Sequence, residues 1–471
     1  MTNLFIDIDR ADKVSLHKQL IIQLKNQILN GDLNKGEKLP SSRKLAEDIS
    51  VSRIVTLTAY EQLIAEGYLV SKSGSGTFIS DNIPESTSKS EKDYLGPDWF
   101  TSLPDIKLNY NRHDIEFDFS IGNPAAKLLP KTSWKQAWRH ALDISFTNAR
   151  PNPAGDKFLR EEITKYLKRA RNITCDPDNI IITSGAAETL RLLSKAVLPF
   201  NPLTFVEKPG FNIAWHWLDK GRDAVAINVD QQGIITDELP ERTNQPSMLF
   251  VTPSHQFPLG YRLSLKRRNE ILKWASRNDA LILEDDYDSE FHYEAMPLPT
   301  LRSQDQNGQV VYFSSFSKSI SPNIKIGYLL APEKICSILK NIIASEHAEP
   351  PLLAQTAMAQ FIKSGSLDKH IAKSRRHYAQ LNKIMREKLS NLPKDINVSG
   401  LDSGIHAFLS FPKMPTKLIK SLEEKSFFLP HQINTDKWHG FALGYGHFEE
   451  EKLIRALDVL TETLKTLNPK L

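Results

Sequence analysis

Apolar residues recur at helical spacing early in the chain. Leu16, Leu20, Ile21, Leu24 and Ile28 share one face, and Gly31 follows as a stop. Ser41 or Ser42 can cap a short helix carrying Arg43, Leu45 and Ala46. A brief turn through Ile49-Ser50-Val51 leads to Ser52, the expected cap of a further helix with Val55, Ala59, Leu63 and Ile64 on its apolar face and Gly67 at its end. The stretch YLVSKSGSGTFIS then alternates around a Gly/Ser-rich turn and predicts two short strands. Helix, helix-turn-helix and hairpin together predict a winged helix-turn-helix over residues 1–80.

From residue 133 the pattern changes to alternating helices and short apolar strands. Helices are expected over 133–145, 155–171 (Leu159, Ile163 and Leu167 inward) and 187–197. Strands are expected over 180–183, 204–207, 248–252, 280–284 and 310–314. This βα alternation predicts a mostly parallel sheet between helices, with functional groups gathered where strands end. The last hundred residues mix helices with strands (406–411 and 441–445) and predict a smaller α/β lobe.

Between the two patterns, residues 81–112 are rich in Ser, Glu, Lys and Pro in their first half, which predicts a tether without a fixed fold. Trp99 and Phe100 are expected to cover some surface of a neighbouring domain. The expected division is thus 1–80, 81–112 and 113–471, in keeping with a 471-residue chain that is too long for one ordinary domain.

Composition narrows the class. A 40% hydrophobic, 25% charged chain is ordinary globular protein. A net charge of +4 does not by itself argue for nucleic acid, and residues 1–80 hold ten Lys/Arg against nine Asp/Glu, a balance of +1. Phosphate binding needs local rather than net positive charge. Only two cysteines occur, Cys175 and Cys336, which argues against a disulfide framework and fits a reducing cytosol. No apolar run approaches the roughly 20 residues of a membrane span, and the N-terminus lacks a signal-peptide pattern, so a cytoplasmic protein is expected.

The chemistry concentrates in two places. Ser314-Ser315-Phe316-Ser317-Lys318 follows an apolar strand, and lysine is the side chain whose amine can form a Schiff base with an aldehyde cofactor. Ser315, Ser317 and Lys325 could bind a phosphate. About thirty residues upstream, Glu284-Asp285-Asp286-Tyr287-Asp288 ends another strand, and a carboxylate facing a pyridine nitrogen keeps that nitrogen protonated. Either motif alone fits a solvated loop, and the acidic run also fits a metal site. Their order and strand context together read as a pocket for pyridoxal 5'-phosphate. In the N-terminal module, the helix opening at Ser52 would enter the major groove N-terminus first, so Ser52, Arg53 and Thr56 are placed to meet bases. Arg43, Lys44 and Lys72 suit phosphates. A helical adaptor with no nucleic-acid role is the competing reading.

RPNPAGDKFLREEITKYLKRARNI, IIITSGAAETL, VEKPGF, EDDYDSEF and SSFSKSISPNIKIGYL, in that order, make the chain from about Phe117 onward resemble the fold-type I aminotransferases. EDDYDSEF and TPSHQFPLG resemble one branch, the MocR-type regulators, and LPSSRKLAEDISVSRIVTLTAYEQLIAEGYL resembles GntR-type DNA-binding modules. The resemblance implies an α/β, PLP-dependent aminotransferase-like large domain with a smaller C-terminal lobe behind a winged helix-turn-helix. It implies that Lys318 carries the aldimine, Asp285 pairs with the pyridine nitrogen and Tyr287 contacts the phenolic oxygen. Gly185, Ala186 and Ala187, opening a helix, would hold the phosphate with Ser315, Ser317 and Lys325. Phe211 could stack on the ring or fill the core, and His255 and Gln256 would line the pocket.

Departures from that family matter. Lys325 stands where an arginine is usual, Phe257 where an asparagine contacts the ring oxygen, and Ala442 where an arginine clamps the substrate carboxylate; His439 or His447 could substitute. In the DNA-binding module, Ile54 stands where a polar residue commonly follows Ser-Arg. The expected function is a homodimeric, DNA-binding regulator that senses pyridoxal phosphate or a small amine or amino acid condensing with it. A working aminotransferase with an accessory DNA-binding module, and a repressor with an empty dimerising domain, are the alternatives.

Overall fold

The computed structural model describes residues 4–83, 115–144, 151–219, 224–293, 297–415 and 417–467. Contacts divide the chain into two units, 1–110 and 111–471. From residue 84 the expected tether, Trp99 and Phe100 included, lies outside the described residues. None of the described helices is long and apolar enough to cross a membrane. Both cysteines are free.

The first unit is built from α1 (Leu16–Leu29), α2 (Ser42–Asp48), α3 (Arg53–Ala65) and a hairpin of β1 (Leu69–Lys72) and β2 (Gly76–Ile79). Leu20, Ile21, Leu24, Leu45, Ala59, Leu63, Leu69 and Ile79 close its core. Of the two candidate caps for α2, Ser41 is the one used, its hydroxyl accepting from Lys44 N–H at 3.2 Å. Ser52 sits at the N-cap of α3 but makes no side-chain capping bond.

One feature of this unit has no apolar signature. Gln19, Gln23 and Gln27 lie four apart along α1, and each side-chain amide pairs with one residue of the extended segment before the helix. Gln27 meets Phe5 (3.4 and 2.7 Å), Gln23 meets Asp7 (2.9 and 2.5 Å) and Gln19 meets Asp9 (3.0 and 2.8 Å), each accepting from the backbone N–H and donating to the carbonyl. Four helical residues advance about 6 Å and two extended residues about 6.7 Å, so the amides stand in for a neighbouring strand.

The second unit carries an eight-stranded sheet. After the two-residue β3 (Phe117–Asp118), its strands are β4 (Ile180–Thr183), β5 (Leu203–Lys208), β6 (Val225–Asp230), β7 (Gly233–Ile234), β8 (Ser247–Val251), β9 (Leu281–Asp285), β10 (Val310–Ser315) and β11 (Gly327–Leu330), in the order β4-β11-β10-β9-β8-β5-β6-β7. The run from β10 to β6 is parallel, while β11 is antiparallel to both neighbours and β7 to β6. The central strands β8 and β10 are buried on both faces, as their unbroken apolar runs require.

Helix boundaries moved by one or two residues. The helix expected from residue 155 runs Lys157–Arg171, because Asp156 caps it through Phe158 and Leu159 N–H. Gly155 takes φ 88° where a Cβ would strike Ile182. The helix expected from residue 187 is Ala186–Val197, and that over 133–145 is Lys131–Ile144. The strand expected over 441–445 is His439–Gly444.

The smaller lobe holds an antiparallel sheet of residues Asn397–Ser399, His406–Phe411, His439–Gly444 and Gln432–Asn434. It is not made from the last hundred residues alone. Phe117–Asp118 pairs in parallel with Phe427–Phe428, and Phe119 and Ala125 pack into the same core. That pairing spans some three hundred positions, and a two-residue strand leaves no periodic trace.

Candidate functional site

The acidic run at the end of β9 is not a solvated loop, because every carboxylate in it is buried and differently engaged. Glu284 accepts the N–H groups of Leu301 and Arg302, both at 2.8 Å, and burial pushes its carboxyl up to about 7. Asp286 accepts from Arg171 Nε at 2.8 Å and from the Tyr312 hydroxyl at 2.7 Å. Asp288 faces His255 Nδ1 at 2.8 Å. Asp285 is 3% exposed, its Oδ1, like those of Asp286 and Asp288, has no hydrogen-bond partner, and of these carboxylates it is the one that lines a cavity. Burial, then the neighbouring Asp286 charge, holds its carboxyl well above the usual range, and the Lys318 charge opposes them.

Asp285 borders a cavity of about 230 Å³. Lys318, Ser315, Ser317, Tyr287, Phe211, Lys325, Gly185, Ala186 and Ala187 line it, so the structure gathers every residue expected to contact the cofactor. Burial lowers the Lys318 amine below its ordinary 10.5, and Asp288 and Asp285 partly restore it. A lowered amine is neutral, and therefore nucleophilic, over a wider pH range. Attachment of an aldehyde is expected to show a rate inflection below that of a free lysine; a pH profile turning at the free-lysine value would contradict this placement.

The anion end of the cavity is the start of the helix Ala186–Val197. Gly185 takes φ 122°, and a Cβ on Gly327 would come within 2.8 Å of its Cα, so two glycines meet there. Gly185 N–H is already turned to Thr183 Oγ1 at 3.3 Å, and Ser184 N–H to Glu188 Oε2 at 2.5 Å. The N–H groups left for an anion are those of Ala186 and Ala187, which the helix cannot use; Gly185 shapes the turn instead. Lys325 is exposed at the rim and holds a left-handed φ of 52°.

Four further features correct or extend the expectations. His255 and Gln256 do not line the cavity: both are 1% exposed and lie behind it, Gln256 Nε2 donating to the carbonyls of Pro209 (2.8 Å) and Phe257 (2.7 Å). Phe257 does line it, edge-on to Phe211 with ring centres 5.4 Å apart. Gly122 was not singled out in the sequence, yet a Cβ there would fall 1.8 Å from Lys318 Nζ, and its φ of 84° suits glycine. Thr252 also lines the cavity and bonds to buried Glu207 at 2.6 Å; burial pushes the Glu207 carboxyl up to about 7. A single glycine or threonine in a loop carries no motif, so only proximity reveals these two.

At the carboxylate-clamp position, Ala442 is fully buried against Val229, Leu259 and Phe408. Neither suggested substitute reaches the cavity. His439 Nδ1 is 2.6 Å from Asn434 Oδ1, and His447 lies near Asp118. Among the described residues lining the cavity, the cations are Lys318 and Lys325. The site can therefore receive an aromatic ring with a basic nitrogen, a carbonyl and an anionic arm, but offers no fork for a second carboxylate.

In the first unit, Ser52 and Arg53 are exposed at the start of α3, as expected. Thr56 is corrected: it is fully buried, and its hydroxyl donates to the carbonyls of Ser42 (2.7 Å) and Arg53 (3.0 Å), tying α2 to α3. The outward positions of the first turns are Arg53, Ile54, Leu57 and Thr58, and Ile54 is 74% exposed. Helical phasing against Ala59, Tyr60 and Leu63 could have found them, had Thr56 rather than Ile64 been placed inward. Arg43 and Lys44 are exposed beside Glu47 (3.4 Å) and Asp48 (2.7 Å), and Lys72 lies over the Phe78 ring at 4.9 Å. Arg53→Ala is expected to cost operator binding roughly 1–3 kcal/mol and to relax base preference, whereas Arg43→Ala should weaken cognate and random DNA alike and flatten the salt dependence by about one unit of slope. Mobility shifts at several salt concentrations would separate the two behaviours.

Residues 114–430 match the family described as aminotransferase class I and II, and residues 16–79 match the gntR family of bacterial regulatory proteins. The chain is 31% identical to the HTH-type pyridoxine biosynthesis transcriptional regulator PdxR of Corynebacterium glutamicum, across 96% of this chain and 97% of that protein. It is 31% identical to the probable rhizopine catabolism regulatory protein MocR of Rhizobium meliloti, across 80% and 78%. Among solved structures, a multiple substrate aminotransferase from Thermococcus profundus aligns with a TM-score of 0.69 at 20% identity, covering 81% of this chain and all of that one, which establishes the fold.

Proposed function

Since the chain belongs to the class I and II aminotransferase family and carries a gntR-type module, and is thus a transcriptional regulator of the MocR type, we propose that its large domain senses pyridoxal 5'-phosphate. The observation that carries this reading is the pairing of a recessed lysine amine with an orphaned, buried Asp285 oxygen across one cavity. An unpartnered buried carboxylate is costly. A protonated pyridine nitrogen is the partner that its position suits, so the residues fit the cofactor.

In this reading Lys318 holds the cofactor covalently, Asp285 meets the ring nitrogen and Tyr287 the phenolic oxygen. Ala186 and Ala187 N–H, Ser315, Ser317 and Lys325 take the phosphate, and Phe211 and Phe257 wall the ring. Bound there, the cofactor supplies an electrophilic carbonyl. Turnover of amino acids is disfavoured because Ala442 and its apolar neighbours cannot orient a substrate carboxylate. A small amine reacting at the same carbonyl remains a compatible effector. The regulator would act in the cytoplasm as a homodimer on paired half-sites.

Sensing requires that the cofactor bind two arrangements of the protein unequally. The test is a mobility shift on DNA from upstream of the protein's own coding sequence, with and without pyridoxal phosphate. Its affinity should change in the wild type and stay constant in Lys318→Ala. A wild-type affinity indifferent to pyridoxal phosphate would refute sensing. Steady transamination abolished in Lys318→Ala would instead favour the enzyme.

A further inference from the structure

Behind the cofactor cavity, three side chains from different parts of the second unit converge. His255 lies in the turn after β8, Asp288 in the turn after β9, and His406 opens the strand His406–Phe411 of the smaller lobe. They are 1, 1 and 0% exposed. One ligand-capable atom of each lies within 4.8 Å of those of the other two, and the imidazole centres are 4.4 Å apart.

Their hydrogen bonds fix where the hydrogens sit. His255 Nδ1 is 2.8 Å from Asp288 Oδ2 and 3.3 Å from the Tyr287 hydroxyl. A carboxylate oxygen accepts, so His255 carries its hydrogen on Nδ1 and a lone pair on Nε2. His406 Nε2 is 3.2 Å from the Pro258 carbonyl, which also accepts, so His406 carries its lone pair on Nδ1. His255 Nε2, Asp288 Oδ1 and His406 Nδ1 are all buried without a hydrogen-bond partner. Each of the three residues of the cluster thus keeps one buried polar atom without a partner.

We propose that His255, Asp288 and His406 form a binding site for a divalent transition-metal ion. Two imidazoles and one carboxylate suit zinc, cobalt, nickel or ferrous iron better than magnesium or calcium, which prefer oxygen ligands throughout. His406 has an outer partner of the usual form, its other nitrogen turned to the Pro258 carbonyl. Metal–ligand distances of about 2.0–2.2 Å would draw the three atoms to within roughly 3–3.5 Å of one another. Close glycines keep the cluster tight: a Cβ on Gly404 would come within 2.3 Å of Asp288 Oδ2 and His255 Nδ1, and one on Gly260 within 2.9 Å of His255 Nε2. The ion would tie the smaller lobe to the strand ends that carry Asp285 and Tyr287. This inference does not depend on cofactor binding.

The experiment uses the full-length protein, stripped with a chelator and free of pyridoxal phosphate. It is titrated with CoCl₂, followed by visible absorption, and with ZnCl₂, followed by calorimetry. One ion per chain is expected, with cobalt bands that zinc abolishes, and His406→Gln and Asp288→Asn should each weaken binding by roughly 100-fold. A wild type that takes up no stoichiometric ion, or a His406→Gln variant that binds as tightly, overturns the proposal. Should the variants fail to fold, the X-ray absorption spectrum of the wild-type zinc complex decides alone. Two imidazoles with oxygen uphold the site, and a shell containing sulfur or oxygen only overturns it.

Discussion

Borohydride reduction of the wild-type chain with pyridoxal phosphate will leave a pyridoxyl group on Lys318, and Lys318→Ala will carry none. The expected loss is complete because the reaction needs an amine inside the cavity, and Lys318 is the recessed one; Lys325 stands exposed at the rim. Three features set Lys318 apart from the many surface lysines. Burial lowers its amine, which raises the neutral fraction. Gly122 leaves the space that its Nζ occupies. Asp285 waits across the cavity with one oxygen unpartnered. Peptide mass spectrometry reads the outcome directly. A pyridoxyl adduct on another lysine at equal yield, or one that survives in Lys318→Ala, would remove the basis of the sensor. That failure would leave the DNA-binding module and the metal proposal untouched.

Arg171→Met should destabilise the large domain by about 3–5 kcal/mol, because it leaves buried charge without its partner. Arg171 is 8% exposed at the side chain and bonds Asp286 at 2.8 Å and Glu290 at 3.2 Å. Tyr166 donates to Glu290 at 2.9 Å, and Tyr312 to Asp286 at 2.7 Å. Burial alone would push Asp286 up, but Arg171, Ser289 and Tyr312 together hold it below the ordinary 3.8. A depressed carboxyl adds stability that is present above that ordinary value and is lost as pH falls through the lower folded one. In Arg171→Met much of this contribution disappears and Asp286 is left buried with neutral partners alone. Thermal unfolding should then fall by about 5 °C at neutral pH, and adding Asp286→Asn should recover part of the loss. A melting temperature unchanged in Arg171→Met would show that the buried cluster does not hold the strand end. Because Asp286 adjoins Asp285, the same variant should also weaken cofactor retention, which absorbance after gel filtration would register.

How much of this was legible beforehand differs by element. The alternation of apolar strands and amphipathic helices marked the sheet, because strands buried on both faces must be apolar throughout. The boundaries shifted where a cap or a left-handed glycine intervened, as at Asp156 and Gly155. The parallel pairing of Phe117–Asp118 with Phe427–Phe428 left no local trace. Thr56 was misplaced because a β-branched hydroxyl near a helix start looks polar and outward, yet in the fold it bonds two backbone carbonyls. The glutamines of α1 carry no periodic apolar signal, and only the fold shows that they hold an extended segment.

The chain's own order of residues settled the local matters: which segments are helix or strand, that Lys318 and Asp285 follow strands, and that no arginine stands at Ala442. Those depend on side-chain chemistry and on spacing within a few positions, which any reader of the chain can see. Only the tertiary structure decided which carboxylate of Glu284–Asp288 faces the cavity, that Gly122 lies against Lys318, and that His255, Asp288 and His406 meet. Partnership between buried polar groups is set by through-space distances of about 3 Å between atoms far apart in sequence, and long-range packing alone fixes those distances.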